Sequence, residues 1–214
     1  FNSGNMVYYN WKAGTSSGIS GGTITPSAYS INTTSGFGIY KYTGTGSAGT
    51  IAHGLGAVPA MIMVKPTNTT GDWYIYHKSL GNSTSIRLNL TSVSYTSANW
   101  YSTTPTNNLF SLRAGGDVNT SGTTYIAYVF TEKTGYSAIN NYTLNNNNNN
   151  VFVYTGFKPK FILIKNYDNV EGWYILDTER DKLNPLQSSD NSFLKPNTNE
   201  NESTASNGVS TANI

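Results

Sequence analysis

No cysteine occurs in the chain, which excludes a disulfide framework and a thiolate metal site and leaves packing and backbone pairing to hold the fold. Charge is scarce as well. Only 11% of residues are charged and the formal net charge is +2, so no field gathers phosphate backbones or anionic lipid, and nucleic acid is not an expected partner. No apolar run approaches the ~20 residues that a membrane helix needs. Runs such as Ala60 to Val64 are strand-sized, so membrane insertion is not expected. The N-terminus shows no basic region followed by an apolar stretch, so no signal peptide is recognisable, and Phe1 reads as an internal start.

What is abundant points to strands. The chain has 16 Tyr, 8 Phe and 4 Trp in a background of Thr, Ser and Asn with 21 Gly. Aromatic and β-branched residues suit a pleated, half-buried surface, and Gly and Asn suit tight turns. An all-β fold is the expectation.

The chain also repeats itself. Tyr42-Thr43, Pro59-Ala60-Met61-Ile62-Met63-Val64-Lys65 and Trp73-Tyr74-Ile75-Tyr76 recur as Tyr142-Thr143, Pro159-Lys160-Phe161-Ile162-Leu163-Ile164-Lys165 and Trp173-Tyr174-Ile175-Leu176, at a constant offset of 100 residues. That period is one small domain, longer than the roughly 20–50 residues of a solenoid repeat. The sequence therefore predicts two antiparallel β-sandwich-like units in tandem, residues 1–124 and 125–214. In each, the apolar run behind the proline reads as a buried central strand, Asn68 to Gly71 or Asp168 to Gly172 as a turn, and the Trp-led segment as the return strand. Pro59, Trp73, Pro159 and Trp173 are the expected structural anchors.

A weaker likeness links Val7-Tyr8-Tyr9-Asn10-Trp11-Lys12 to Ile126-Ala127-Tyr128-Val129-Phe130-Thr131, each an aromatic-rich candidate closing strand. On this reading the second unit lacks a closing strand, and Asn197 to Thr204 is a polar stretch that leaves an open sheet edge. An unpaired apolar edge invites aggregation, so something must cover it. Either the sequence is an excerpt of a longer array, or the N-terminal strand of one copy completes the second unit of its neighbour and builds a filament. Asn145 to Asn150 replaces Gly44 to Gly49 and is read as a loop tip.

Catalytic chemistry finds little support. The two histidines, His53 and His77, are matched by Val153 and Asp177 in the second copy. His53 is read as part of a polar turn and His77 as a surface residue at a strand end, with no orienting carboxylate near in sequence. Asp177-Thr178-Glu179-Arg180-Asp181 lacks the Gly and distal Glu of a helix-loop-helix calcium loop and is read as a solvated, salt-bridging loop. The Gly44 to Gly49 run has a dinucleotide-type spacing but no helix behind it. No enzyme activity, cofactor or metal is expected. Rings beside Asn and Thr suit sugar binding, and Trp100 and Tyr101, which belong to the first copy only, are the candidate ligand contacts as exposed aromatics. Sequons stand at Asn32, Asn68, Asn82, Asn89, Asn119, Asn141 and Asn201.

The succession Gly36-Phe37-Gly38-Ile39-Tyr40-Lys41-Tyr42-Thr43-Gly44-Thr45-Gly46, His53-Gly54-Leu55-Gly56, Pro59 to Lys65 and Gly71-Asp72-Trp73-Tyr74-Ile75-Tyr76-His77 resembles tandem β modules in tail-fibre-like virion proteins of marine tailed phages. Asn10 to Gly14 and Tyr154 to Pro159 resemble further pieces of them. The resemblance implies a structural component of a virion surface or extracellular appendage, with other copies or other virion proteins as partners and host-surface glycans as a recognised target. It brings no catalytic residues. A cell-surface filament subunit or adhesin and a stand-alone carbohydrate-binding module are the rival readings.

Overall fold

A computed structural model describes residues 8–143, 152–180 and 192–204. The fold is all-β, and the only helical turn among the described residues is a 3₁₀ turn at Gly116–Val118. Strands β1 (Ala28–Asn32), β2 (Phe37–Thr43), β3 (Gly49–Ala52), β4 (Pro59–Pro66), β5 (Tyr74–His77), β6 (Thr84–Arg87), β7 (Tyr95–Thr96), β8 (Leu109–Leu112) and β9 (Thr124–Thr131) make up the first part. Strands β10 (Phe161–Lys165), β11 (Trp173–Asp177), β12 (Ser192–Phe193) and β13 (Ser203–Thr204) make up the second.

A seven-stranded sheet in the order β1-β2-β9-β4-β5-β6-β7 is antiparallel throughout. The alternation in β4 and β9 explains its core. Ile62, Val64, Tyr125, Ala127 and Val129 point to one face and are fully buried. The β3–β8 ladder covers that face with Ile51, Phe110 and Leu112, joined by Leu55 and Trp100 from loops. Burying so many tyrosines requires partners for their hydroxyls. Tyr42 donates to the Val118 carbonyl at 2.6 Å, and Tyr40 donates to the His53 carbonyl.

The hairpin at the heart of the repeat is reproduced in detail. In the first copy Met61, Ile62, Met63 and Val64 face His77, Tyr76, Ile75 and Tyr74. In the second, Phe161, Ile162, Leu163 and Ile164 face Asp177, Leu176, Ile175 and Tyr174, the same register 100 residues on. Gly56 and Gly156 both take positive φ ahead of their prolines. Lys65 donates to the Gly71 carbonyl and Lys165 to that of Glu171. The correspondence continues past the hairpin with a new offset. Thr84 and Ser85 face Thr96 and Tyr95, and Ser192 and Phe193 face Thr204 and Ser203, each 108 residues later. The main-chain N–H of Trp73 is held by Asn89 Oδ1 at 2.9 Å and that of Trp173 by Asn197 Oδ1 at 2.8 Å. Strands β4 to β7 and β10 to β13 thus share one four-strand order, with β11 meeting β12 through the Ile175–Leu194 bridge.

Several expectations need correction. Asn197 to Thr204 is not an unpartnered tail, because it forms the turn and last strand of the β12–β13 hairpin. The two apolar runs are not equivalent in burial: β4 is central, between β9 and β5, whereas β10 pairs only with β11 among the described residues. Tyr42 is fully buried in β2, while Tyr142 is half-buried outside any strand. The anchors differ too. Pro59 and Trp173 are buried, whereas Trp73 and Pro159 are half-buried, Trp73 stacking on Tyr128 at 5.9 Å. Tyr8 to Lys12 forms no strand, and Val7 and the Asn145 to Asn150 run lie outside the described residues.

Candidate functional site: the junction between the two meanders

The second meander lies against the outer face of the first sheet. In β4, Met61 and Met63 point away from the main core, as does Ile75 in β5. Trp173 inserts among these three residues, with Ile86 and Leu163, and its indole N–H donates to the Arg87 carbonyl at 2.8 Å. Main-chain bonds seal the contact: Ser94 donates to the Tyr167 carbonyl at 2.8 Å and Glu171 to the Thr91 carbonyl at 3.0 Å. The opposite face of the meander carries a smaller cluster, in which Leu176 and Phe193 are buried and Ile162, Ile164 and Tyr174 are half-buried.

The N-terminal segment closes the junction with aromatic rings. Trp11 meets Phe161 at 5.5 Å, Phe130 at 6.1 Å and Phe37 at 6.3 Å, while Phe37 and Phe130 meet at 4.9 Å. Tyr9 packs edge-on against Phe161 at 4.8 Å, and its hydroxyl donates to Asp177 Oδ2 at 2.6 Å. Arg180 donates from Nη2 to the same hydroxyl at 3.0 Å and pairs with Asp177 at 3.2 Å and Glu202 at 3.1 Å. Burial, then the bond to Asp177, pushes the Tyr9 hydroxyl up to about 12. The loop is salt-bridging, as its sequence suggested, but not wholly solvated: Asp177 and Arg180 form a buried ion pair, with 5% exposure for each side chain, while Glu179 is exposed. Asp181 lies outside the described residues.

The candidate ligand aromatics separate. Trp100 is 1% exposed, its indole N–H donating to Ser85 Oγ at 3.0 Å and its ring set edge-on to Tyr76. It is a core residue, and its assignment as an exposed ligand contact is corrected. Tyr101 is 56% exposed and, with Ser102, is one of two non-glycine residues at positive φ among the described residues. Three residues further on, Thr104 Oγ1 accepts a hydrogen bond from Asn82 at 2.8 Å, which ties this loop to the one between β5 and β6.

His53 is fully buried in the turn after β3. Its Nδ1 accepts the Leu55 amide at 3.2 Å, and its Nε2 lies 3.1 Å from the Thr106 carbonyl, which fixes a neutral ring with the proton on Nε2. Burial lowers its pKa below 6.5. His77 is half-buried, not a free surface residue, and its pKa is lowered by burial and then by Lys78. Asn119 is also fully buried, donating to the carbonyls of Ser47 and Arg113, so its sequon is closed to glycosylation in the folded state. Among the described residues no group of three or more His, Asp or Glu side chains is arranged to hold a metal. No helix among the described residues is long and apolar enough to cross a membrane.

No curated protein and no solved structure matches the chain. One family model, described as a domain of unknown function (DUF7483), matches residues 1–213, and the chain belongs to that family.

Proposed function

We propose that the chain is a structural module of a virion surface or extracellular appendage, tail-fibre-like in organisation, that works by packing and association rather than catalysis. The observation that carries this reading is the reuse of one meander, with its registers kept, in two settings: one inside a seven-stranded sheet, the other docked on that sheet's outer face. Reuse of a β unit with its outward side chains recruited into packing is what an array-forming module needs. The resemblance of Gly36 to His77 to virion tail-fibre modules supplies the setting. Tyr101, exposed on its strained turn, is the side chain offered to a host-surface glycan.

The test is location. Antibodies raised against the chain, applied to purified phage particles and imaged by electron microscopy, are expected to decorate an appendage. Labelling confined to host envelopes instead would replace this reading with that of a cell-surface filament subunit. A glycan array separates the third reading: sugar binding by the isolated chain, lost in Tyr101→Ala while particles stay unlabelled, would make it a carbohydrate-binding module.

A further inference from the structure

Methionine is rare in this chain, and it is not scattered. Of three methionines, Met61 and Met63 stand two residues apart in β4, and Met6 lies outside the described residues. Alternation along the strand turns both to the outer face of the sheet, where they pack against the cluster of Ile75, Ile86 and Trp173 at the junction with the second meander. Leu163 of β10 and Tyr167 of the β10–β11 turn reach the same cluster from the other side. The second hairpin has Phe161 and Leu163 at the equivalent positions, so among the described residues β4 alone brings sulfur to this layer.

Both methionines are half-buried, whereas Ile62 and Val64, on the opposite face of the same strand, are fully buried. Oxidation to the sulfoxide turns a flexible apolar side chain into one that carries a strong acceptor. The cluster has no donor to give it. Trp173 holds the cluster's one side-chain N–H, and that group is already committed to the Arg87 carbonyl at 2.8 Å. The strand cannot carry the new oxygen out of the layer by shifting, since β4 is paired with β5 on one side and β9 on the other. An acceptor left unmet in an apolar layer costs its full desolvation, so the layer loses cohesion.

We propose that Met61 and Met63 are a modification site, oxidised by peroxide in the folded chain, and that their sulfoxides release the second meander from the first sheet. A sulfur lone pair takes one oxygen of hydrogen peroxide: the O–O bond breaks, an S=O bond forms, and the other oxygen leaves as water with both peroxide protons. Sulfur gives up two electrons and the peroxide accepts them, so no further reactant is needed. The release is local, because the core of the seven-stranded sheet lies on the other face of β4. It is also reversible, since sulfoxide reduction restores the thioether.

The test treats the intact chain with hydrogen peroxide and follows it by peptide mass mapping and amide hydrogen exchange. One added oxygen is expected at each of Met61 and Met63, with exchange in β10 and β11 quickened about tenfold while β2 and β9 are unchanged; about 1.4 kcal/mol corresponds to that factor. Methionine sulfoxide reductases for both epimers are expected to restore slow exchange. Met61→Leu combined with Met63→Leu, a volume-conserving change that keeps Met6, is expected to leave exchange in β10 and β11 indifferent to peroxide. The reductase arm stands if that variant does not fold. Sulfoxides at both positions with exchange in β10 and β11 unchanged would overturn the proposal. So would oxidation of Met61 and Met63 no faster than global unfolding, since the sulfurs would then be closed to peroxide in the folded chain. Equal quickening in β2 and β9 would show a lesion of the whole fold instead of a release, and a peroxide response that persists in the leucine variant would assign the effect elsewhere.

Discussion

Two neighbouring aromatics carry opposite roles, and the residue scale is where that is decided. Trp100 fills the space above Ser85, and the second meander has Phe193 at the position equivalent to Ser85, packed edge-on against Tyr174 at 5.1 Å. A small residue plus a distant tryptophan in one copy is replaced by a single local ring in the other. This is why Trp100 belongs to one copy only, and why its uniqueness in the sequence does not mark a ligand contact. Trp100→Ala is expected to cost about 3–5 kcal/mol, read as a loss of thermal stability, from cavity formation and an orphaned Ser85 hydroxyl. Tyr101→Gly is expected to gain about 1 kcal/mol, because φ of 53° strains any side-chain-bearing residue. A destabilised Tyr101→Gly would mean that its ring packs as Trp100 does. His53 supplies a pH dependence. Its folded pKa is depressed by burial, so between that value and 6.5 the unfolded chain binds a proton that the folded chain refuses. Stability is therefore full above about pH 6.5 and falls as pH drops below it. His77 acts in the same direction. Thermal melts between neutral and mildly acidic pH, with NMR titration of both rings, check this; a His53 ring titrating at or above 6.5 would contradict it.

At the scale of elements, what was legible in the sequence was whatever recurs in rare residues at fixed spacing. The β4–β5 and β10–β11 hairpins stood out because Pro, Lys and Trp mark both copies at one offset. The β6–β7 and β12–β13 hairpins did not, because their offset shifts to 108 and their shared features are common residues: Thr84 and Ser192, Thr96 and Thr204, Asn89 and Asn197. Polar stretches such as Asn197 to Thr204 carry no alternation that reveals a strand, and Ser203 and Thr204 are strand only through pairing with β12. Burial of the Asp177–Arg180 pair was equally hidden, since Tyr9, 168 residues from Asp177, and Glu202 are its partners. Turn geometry yields a graded prediction. Gly36, at φ +68°, joins β1 to β2, and a Cβ there would meet the Thr131 carbonyl at 2.7 Å. Gly56, at φ +69°, has open space around it. Gly56→Ala should cost about 1–2 kcal/mol from backbone strain alone, and Gly36→Ala clearly more, because β9 must shift as well. Chemical denaturation of the two variants reads the difference; equal costs would show that the β2–β9 end yields freely.

On the scale of the whole molecule, the first and second meanders meet across an apolar layer, and the N-terminal segment ties them together at one end. Trp173 among Met61, Met63 and Ile75 supplies apolar burial, and the Tyr9–Asp177–Arg180 group supplies a polar clamp whose members are largely removed from water. Apolar layers are non-directional, so they hold two sheets together without fixing their orientation. A hydrogen-bonded clamp at one end does fix it, and removing a single partner leaves a buried charge pair with an unmet acceptor. Tyr9→Phe keeps the ring against Phe161 and deletes only the hydroxyl. It is expected to cost about 1–3 kcal/mol, the range for a hydrogen bond to a charged group, and to do so locally. Amide exchange should quicken in β10 and β11 while β2, β4 and β9, inside the seven-stranded sheet, keep their protection. Raising pH tests the same bond in the native chain. The folded Tyr9 holds its proton to about 12, above the ordinary 10.0, so its stabilising contribution is complete below pH 10 and is lost as pH rises from there towards 12. Uniform quickening across both meanders in Tyr9→Phe would mean that the molecule opens as one cooperative body, and the clamp would then be part of a single core instead of a tie between two.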